Sequence, residues 1–325
     1  MLSAVTIMTA KNNLYIVTGE SYKLNKTVRD LKESIQNAEL NVTEYHTMPS
    51  AEELKAVCAE YPFLSDKRLV ILRDCKVLYA SGNAEEAKKI ALQLDIMPDS
   101  TALVLCCTEP PDKRRTLYKK IAKAGTVREF PQPSPSDCSF FVQKQAKALG
   151  ARISAKTAQF LVSLVGCDYY ALENEVNKLS VYSGSDEITH QHLLECASKT
   201  LEYNVFEIHK LFAGLKAQAA YKLLSDILMH ERPEALIGLV ARKIRDMYKI
   251  RTMRDAGFDM FRIEAQMKMK SFAVKMLYDE CDRFSADQLR DGLKALADLD
   301  YQIKSGRKDA ALALHETLCR IYGLS

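Results

Sequence analysis

The chain has 325 residues, 47% hydrophobic and 27% charged, with only 12 glycines and 9 prolines. That composition excludes extensive disorder and leaves room for two or three domains at roughly 150 residues each. The net charge of +4, from 46 basic and 42 acidic residues, permits contact with nucleic acid without arguing for it.

The first ~130 residues alternate between short apolar runs and helical periods. LYIV (14–17), NVTEYH (41–46), RLVILRD (68–74), TALVLCCTE (101–109) and TVREF (126–130) read as strands. Between them, helices are expected near 28–38, 50–60, 84–94 and 112–125. Ser50 with Glu53 suggests a capping box, and Gly125 suits a helix end. Such alternation implies a parallel sheet with helices on both faces. FPQPSPSD (130–137) follows as the clearest linker, and beyond it the strand signal disappears. Short helices are expected to residue 200, stopped at Gly150, Gly166 and Gly184, and longer ones from about 203 onward.

Nine cysteines, an odd count without a CxxC, sit partly in apolar runs and read as reduced, buried thiols of a cytoplasmic protein. MLSAVTIMTA is not a convincing signal peptide, and no apolar run reaches the ~18 residues that a membrane span needs.

IVTGESYKLNKTVRDL (16–31) looks almost like a phosphate-binding loop, with Gly19 ending a strand and Lys26-Thr27 expected to open a helix. A working loop, G-x-x-x-x-G-K-[ST], wraps phosphates with glycine backbone and sets Lys on the outer phosphates. Here the spacing is one residue too long, Asn25 stands where the second glycine belongs, and Tyr22, Lys23 and Leu24 are bulky. The plain reading is an ordinary strand–turn–helix with Ser21 as a cap. Asp74 offers a metal-holding acid after a strand but reads more simply as a turn residue. HQHLLEC places His190, His192 and Cys196 at a metal-compatible spacing with no fourth ligand nearby, so no metal is expected. Two basic groups, on predicted helices, could touch phosphate: Lys113, Arg114, Arg115, Lys119, Lys120 and Lys123, and Arg242, Lys243, Arg245, Lys249, Arg251 and Arg254. Solvated helix faces explain them as well. In YPFLSDKRLVIL (61–72), Phe63 and Leu64 follow Pro62 outside any period. They are either tucked into the core or an exposed anchor for a partner.

Taken in order, NLYIVTGESYKL, PFLSDKRLVILRD, TALVLCCTEPPDKRRTLYKKI, FPQPSPSD, VGCDYYALENEVNKLSVY, EYNVFEIHKLFAG and DLDYQIKSGRKDAALALHETL resemble the delta subunits of the bacterial DNA polymerase III clamp loader, within the AAA+ clamp-loader family. The resemblance implies an α/β plus α fold. Its parts would be an AAA+-like parallel-sheet domain (1–133), a helical lid (134–202) and a helical collar that assembles the loader (203–325). It implies that Gly19, Lys26 and Thr27 belong to a degenerate nucleotide loop, with no cofactor and no active site of its own within the DNA-directed DNA polymerase (nucleotidyltransferase) holoenzyme. It implies clamp contact through Phe63 and Leu64, in reversed order from the family's usual Leu-Phe, and matches Arg68 to a common family residue. The implied partners are the sliding clamp (beta subunit), the gamma/tau and delta prime subunits, and primed DNA, which Lys113, Arg114 and Arg115 would face. The alternatives are an active P-loop ATPase with an atypical loop and a helical DNA-binding adaptor.

Overall fold

A computed structural model describes residues 13–184, 186–267, 269 and 271–324. The chain divides into two compact units, one running to residue 145 and including 167–174, the other made of 146–166 and 175 onward.

In the first unit, strands β1 (Leu14–Gly19), β2 (Val42–Tyr45), β3 (Arg68–Leu72), β4 (Thr101–Cys107) and β5 (Thr126–Phe130) form one parallel sheet in the order β2-β3-β4-β1-β5. Helices α1 (Ser21–Glu33), α2 (Ala38–Asn41), α3 (Ala51–Ala59), α4 (Ala84–Gln93) and α5 (Thr116–Ala124) connect them. The inner strands are apolar at successive positions because both faces are covered. Ile16, Val70, Leu72, Leu103 and Leu105 point to one face, against Leu54, Ile90 and Leu117 of α3, α4 and α5. Tyr15, Val17, Leu69, Ile71 and Val104 point to the other, against Leu24, Val28 and Leu31 of α1.

Two helix starts differ from expectation. Helix α1 begins at Ser21, so Lys26 and Thr27 lie in its second turn rather than opening it. Helix α5 begins at Thr116, so Lys113, Arg114 and Arg115 lie in the turn before it. Gly125 does end α5 but is not left-handed (φ −128°); a Cβ there would lie 2.2 Å from the Leu14 carbonyl oxygen, and this close approach is what requires glycine. Ser50 caps α3 by accepting from the Glu53 N–H.

After the Pro-rich segment come α6 (Pro135–Ala148), strand β6 (Arg152–Ile153), α7 (Ala155–Val165), α8 (Tyr169–Tyr182), strand β7 (Glu187–Ile188) and α9 (His190–Cys196). The two-residue strands pair in parallel, a ladder too short to leave a sequence signal. Gly166 and Gly184, at φ 87° and 66°, follow α7 and α8. Helices α10 (Leu201–Ala213), α11 (Ala217–Leu228), α12 (Pro233–Asp255), α13 (Met260–Met267), α14 (Ser271–Glu280), α15 (Ala286–Lys304) and α16 (Ala310–Tyr322) complete the chain. Phe212, Val240, Ile244, Met247, Leu289 and Leu318 build their common core. No described helix is long and apolar enough to cross a membrane.

His209 of α10 is fully buried in this second core. Its Nδ1 shares a hydrogen bond with the Tyr322 hydroxyl, and Nε2 has no partner among the described residues. Burial first, and the nearby Lys243 ammonium second, hold its pKa well below the ordinary 6.5. The unfolded chain therefore takes up a proton below about pH 6.5 that the folded chain refuses. The contribution of His209 to stability is fully present above that pH and is lost as pH falls, by up to about 1.4 kcal/mol per pH unit. Urea unfolding at pH 7.5 and pH 5.5 should show this loss, and His209→Phe should lose correspondingly less.

Candidate functional site

Two regions at opposite ends of the sheet strands decide the functional reading. The first is the strand–helix junction after β1. Gly19 has φ 106°, and a Cβ there would lie 1.9 Å from the Phe130 carbonyl oxygen. Its glycine serves the packing of β1 beside β5. The next residue, Glu20, is buried and caps α1: Tyr22 N–H donates to Oε1 (2.7 Å) and Lys23 N–H to Oε2 (2.9 Å). Helix N-termini attract anions, and here the chain's own carboxylate already takes the Tyr22 and Lys23 N–H groups. Ser21, expected as the cap, is instead the first helical residue. Lys26 is exposed, and the Thr27 hydroxyl donates back to the Lys23 carbonyl (2.8 Å). The two residues thus lie in the second turn of α1 rather than at its start.

The Tyr22 ring closes the same region. It meets Phe141 at 5.3 Å and Tyr170 at 5.0 Å, both edge-on, and its hydroxyl donates to Glu173 Oε1 (2.7 Å), which also accepts from Gln145. Burial, then the bond to Glu173, push the Tyr22 pKa far up. Asp74, after β3, accepts from the Tyr79 hydroxyl (2.7 Å) and the Thr108 hydroxyl (3.1 Å), a turn-building role. Removing the cap with Glu20→Ala should destabilise the chain by about 1 kcal/mol in urea unfolding.

The second region is the loop from Glu60 to Lys67, before β3. Phe63 and Leu64 are 58% and 76% exposed, and Tyr61 beside them 82%. They are not in the core. The backbone of the loop is nonetheless fixed. Arg68, buried at the start of β3, binds Glu60 (2.5 Å) and the Thr43 hydroxyl (3.1 Å). The Ser65 hydroxyl donates to the Lys67 carbonyl (3.0 Å). Asn41 accepts from the Phe63 N–H (2.7 Å) and donates to the Phe63 carbonyl (2.9 Å), and Asn37 donates to the Leu64 carbonyl (2.9 Å). Leu64 sits at φ 49°, a left-handed conformation that costs a side-chain-bearing residue roughly 1–2 kcal/mol. Sequence reasoning missed Asn37 and Asn41; their signal is two asparagines four residues apart, one at the N-cap and one ending a one-turn helix.

The other candidates are dispersed. Lys113 pairs with Glu129 (2.7 Å) and Arg114 with Asp112 (2.9 Å). Arg115 donates to the Tyr79, Ala80 and Gly82 carbonyls, pinning that turn. On α12, Lys243 pairs with Glu280, Arg251 with Asp255 and Arg254 with Asp282. His190 stacks on Phe160 at 4.1 Å, while His192 completes a capping box with Thr189. Among the described residues, no three His, Cys, Asp or Glu side chains gather as metal ligands.

Two family profiles match the chain: DNA polymerase III, delta subunit, over residues 15–130, and DNA polymerase III delta subunit, C-terminal domain, over residues 202–321. The DNA polymerase III subunit delta of Bacillus subtilis (strain 168) is 25% identical over 314 residues, 93% of this chain and 90% of that one. The solved Bacillus subtilis DNA clamp loader delta protein (YqeN) superposes with a TM-score of 0.68 at 22% identity, over 98% of this chain and 99% of that one. The two share one fold.

Proposed function

The chain belongs to the DNA polymerase III delta-subunit family, and on that premise we propose that it binds the sliding clamp and opens its ring for loading onto primed DNA, without hydrolysing ATP itself. The observation that carries this reading is the Phe63–Leu64 pair, two large apolar side chains exposed on a loop whose backbone is held. Burying such a pair in an apolar pocket is worth about 1.5–3 kcal/mol for each side chain. That energy opens a ring only to the extent that the pocket fits the pair better in the open state than in the closed one.

On this reading the chain would fold as three domains divided at 133/134 and 202/203 and act in the cytoplasm. It would meet the gamma/tau and delta prime subunits through its collar, and face DNA inside the complex through Lys113, Arg114 and Arg115. Arg115 is the weakest of the three, since its guanidinium already binds three carbonyls. The closed junction at Glu20 and Tyr22 supports the absence of ATP hydrolysis.

Clamp trapped on circular DNA provides the test. Added alone, the protein should release the clamp faster than its spontaneous loss, with or without ATP. No acceleration would overturn the opening role. An ATP titration should show no saturable binding at micromolar concentrations; saturable binding would favour the active ATPase.

A further inference from the structure

Leu64 and Phe63 are exposed, yet the backbone that presents them is bonded to one fully buried side chain. Asn41 has no exposed surface. Its Oδ1 accepts from the Phe63 N–H at 2.7 Å, while Nδ2 donates to the Phe63 carbonyl at 2.9 Å. The same Nδ2 reaches the Gln36 carbonyl at 2.9 Å and the Asn37 carbonyl at 3.3 Å. The amide orientation is fixed by its surroundings: turned over, the oxygen would face three carbonyls. The two bonds to Phe63 reproduce the exchange between paired strands, with a side chain standing in for backbone. Asn37, itself left-handed at φ 51°, adds a bond to the Leu64 carbonyl at 2.9 Å. Leu64 is left-handed too, at φ 49°. A residue held in a sparsely populated conformation beside exposed apolar groups needs surroundings that over-determine it. An isolated tip of this kind would sample many conformations.

We infer that Asn41, assisted by Asn37, is a positioning residue that holds the Phe63–Leu64 tip in its binding conformation before the partner arrives. This rests on the clamp-binding reading above. A binding-competent state populated only in part weakens apparent affinity by that fraction, and a pre-set loop avoids the loss. An aspartate would not substitute for Asn41, because a carboxylate has no donor for the three carbonyls.

Three substitutions in the full chain test the inference, read by clamp Kd, by amide hydrogen exchange at the Phe63 N–H, and by unfolding temperature. Asn41→Leu keeps the branched shape and the number of side-chain heavy atoms and removes all four bonds. It should raise Kd about tenfold, as if the competent loop fell to a tenth of the population. Exchange at Phe63 should accelerate while Ile71 in β3 stays protected. Asn37→Gly keeps the left-handed backbone, removes the bond to Leu64 and should raise Kd about threefold. Leu64→Ala is the reference for the clamp reading. If Leu64→Ala weakens binding but folded Asn41→Leu binds like the wild type, the positioning role is overturned and the clamp reading stands. Weaker binding by Asn41→Leu with unchanged Phe63 exchange overturns it as well. Should Asn41→Leu fail to fold, wild-type Kd in Asn37→Gly overturns it. If Leu64→Ala leaves Kd unchanged, the clamp reading falls and the inference with it.

Discussion

Phe63→Ala and Leu64→Ala are each expected to weaken clamp binding by about 2 kcal/mol or more, roughly thirtyfold in Kd, with the unfolding temperature unchanged. The size follows from the anchors' chemistry. Both side chains are large, and they stand together on a held loop rather than being scattered. Their exposure explains why folding is indifferent to them: alanine leaves no internal cavity. Leu64→Gly separates anchor from backbone. It should bind as poorly as Leu64→Ala yet fold more stably, because glycine tolerates φ 49° without the steric penalty. Phe261, 79% exposed in the second unit, is the control for greasiness alone, and Phe261→Ala should bind the clamp normally. Calorimetric titration with purified clamp measures all four.

Phe212→Ala should cost about 3–5 kcal/mol of stability, the range for a buried phenylalanine that leaves a cavity. The side chain is fully buried where α10, α11, α12 and α16 converge. It stacks on Tyr322 at 5.5 Å and 22° and meets the His315 ring at 5.6 Å. Tyr322 in turn holds His209 and packs edge-on against Phe284 at 5.1 Å. Removing the phenylalanine therefore loosens both a packing layer and the hydroxyl that partners a buried imidazole. Urea unfolding by circular dichroism reads the loss as a lower midpoint; a loss under about 1 kcal/mol would show that this core refills the space.

The sheet was legible because its inner strands are covered on both faces, so RLVIL and TALVLCC are apolar at nearly every position. Helical spacing and the positive-φ glycines 166 and 184 were legible for the same local reasons. What escaped depends on contacts distant in sequence. Helix α1 starts at Ser21 because the Glu20 carboxylate bonds the following N–H groups, and a glutamate after glycine is a weak cap signal. Lys26-Thr27 imitates a motif but lies inside a helix. Tyr22 meets Phe141 and Tyr170 across more than a hundred residues, a closure no local period announces. Phe63 and Leu64 gave two opposite readings because an aperiodic apolar pair carries no inward or outward direction. The structure supplies that direction through Asn41, whose bonds to Phe63 span 22 residues.

The most direct test of the account replaces Leu64 with a photo-crosslinking amino acid in the full chain and illuminates it with purified clamp. The account predicts one dominant crosslink, mapping by mass spectrometry to an apolar pocket beside the clamp's subunit interface, and suppressed by excess wild-type protein. Crosslinks scattered over the clamp surface, or absent while the clamp still binds, would contradict it.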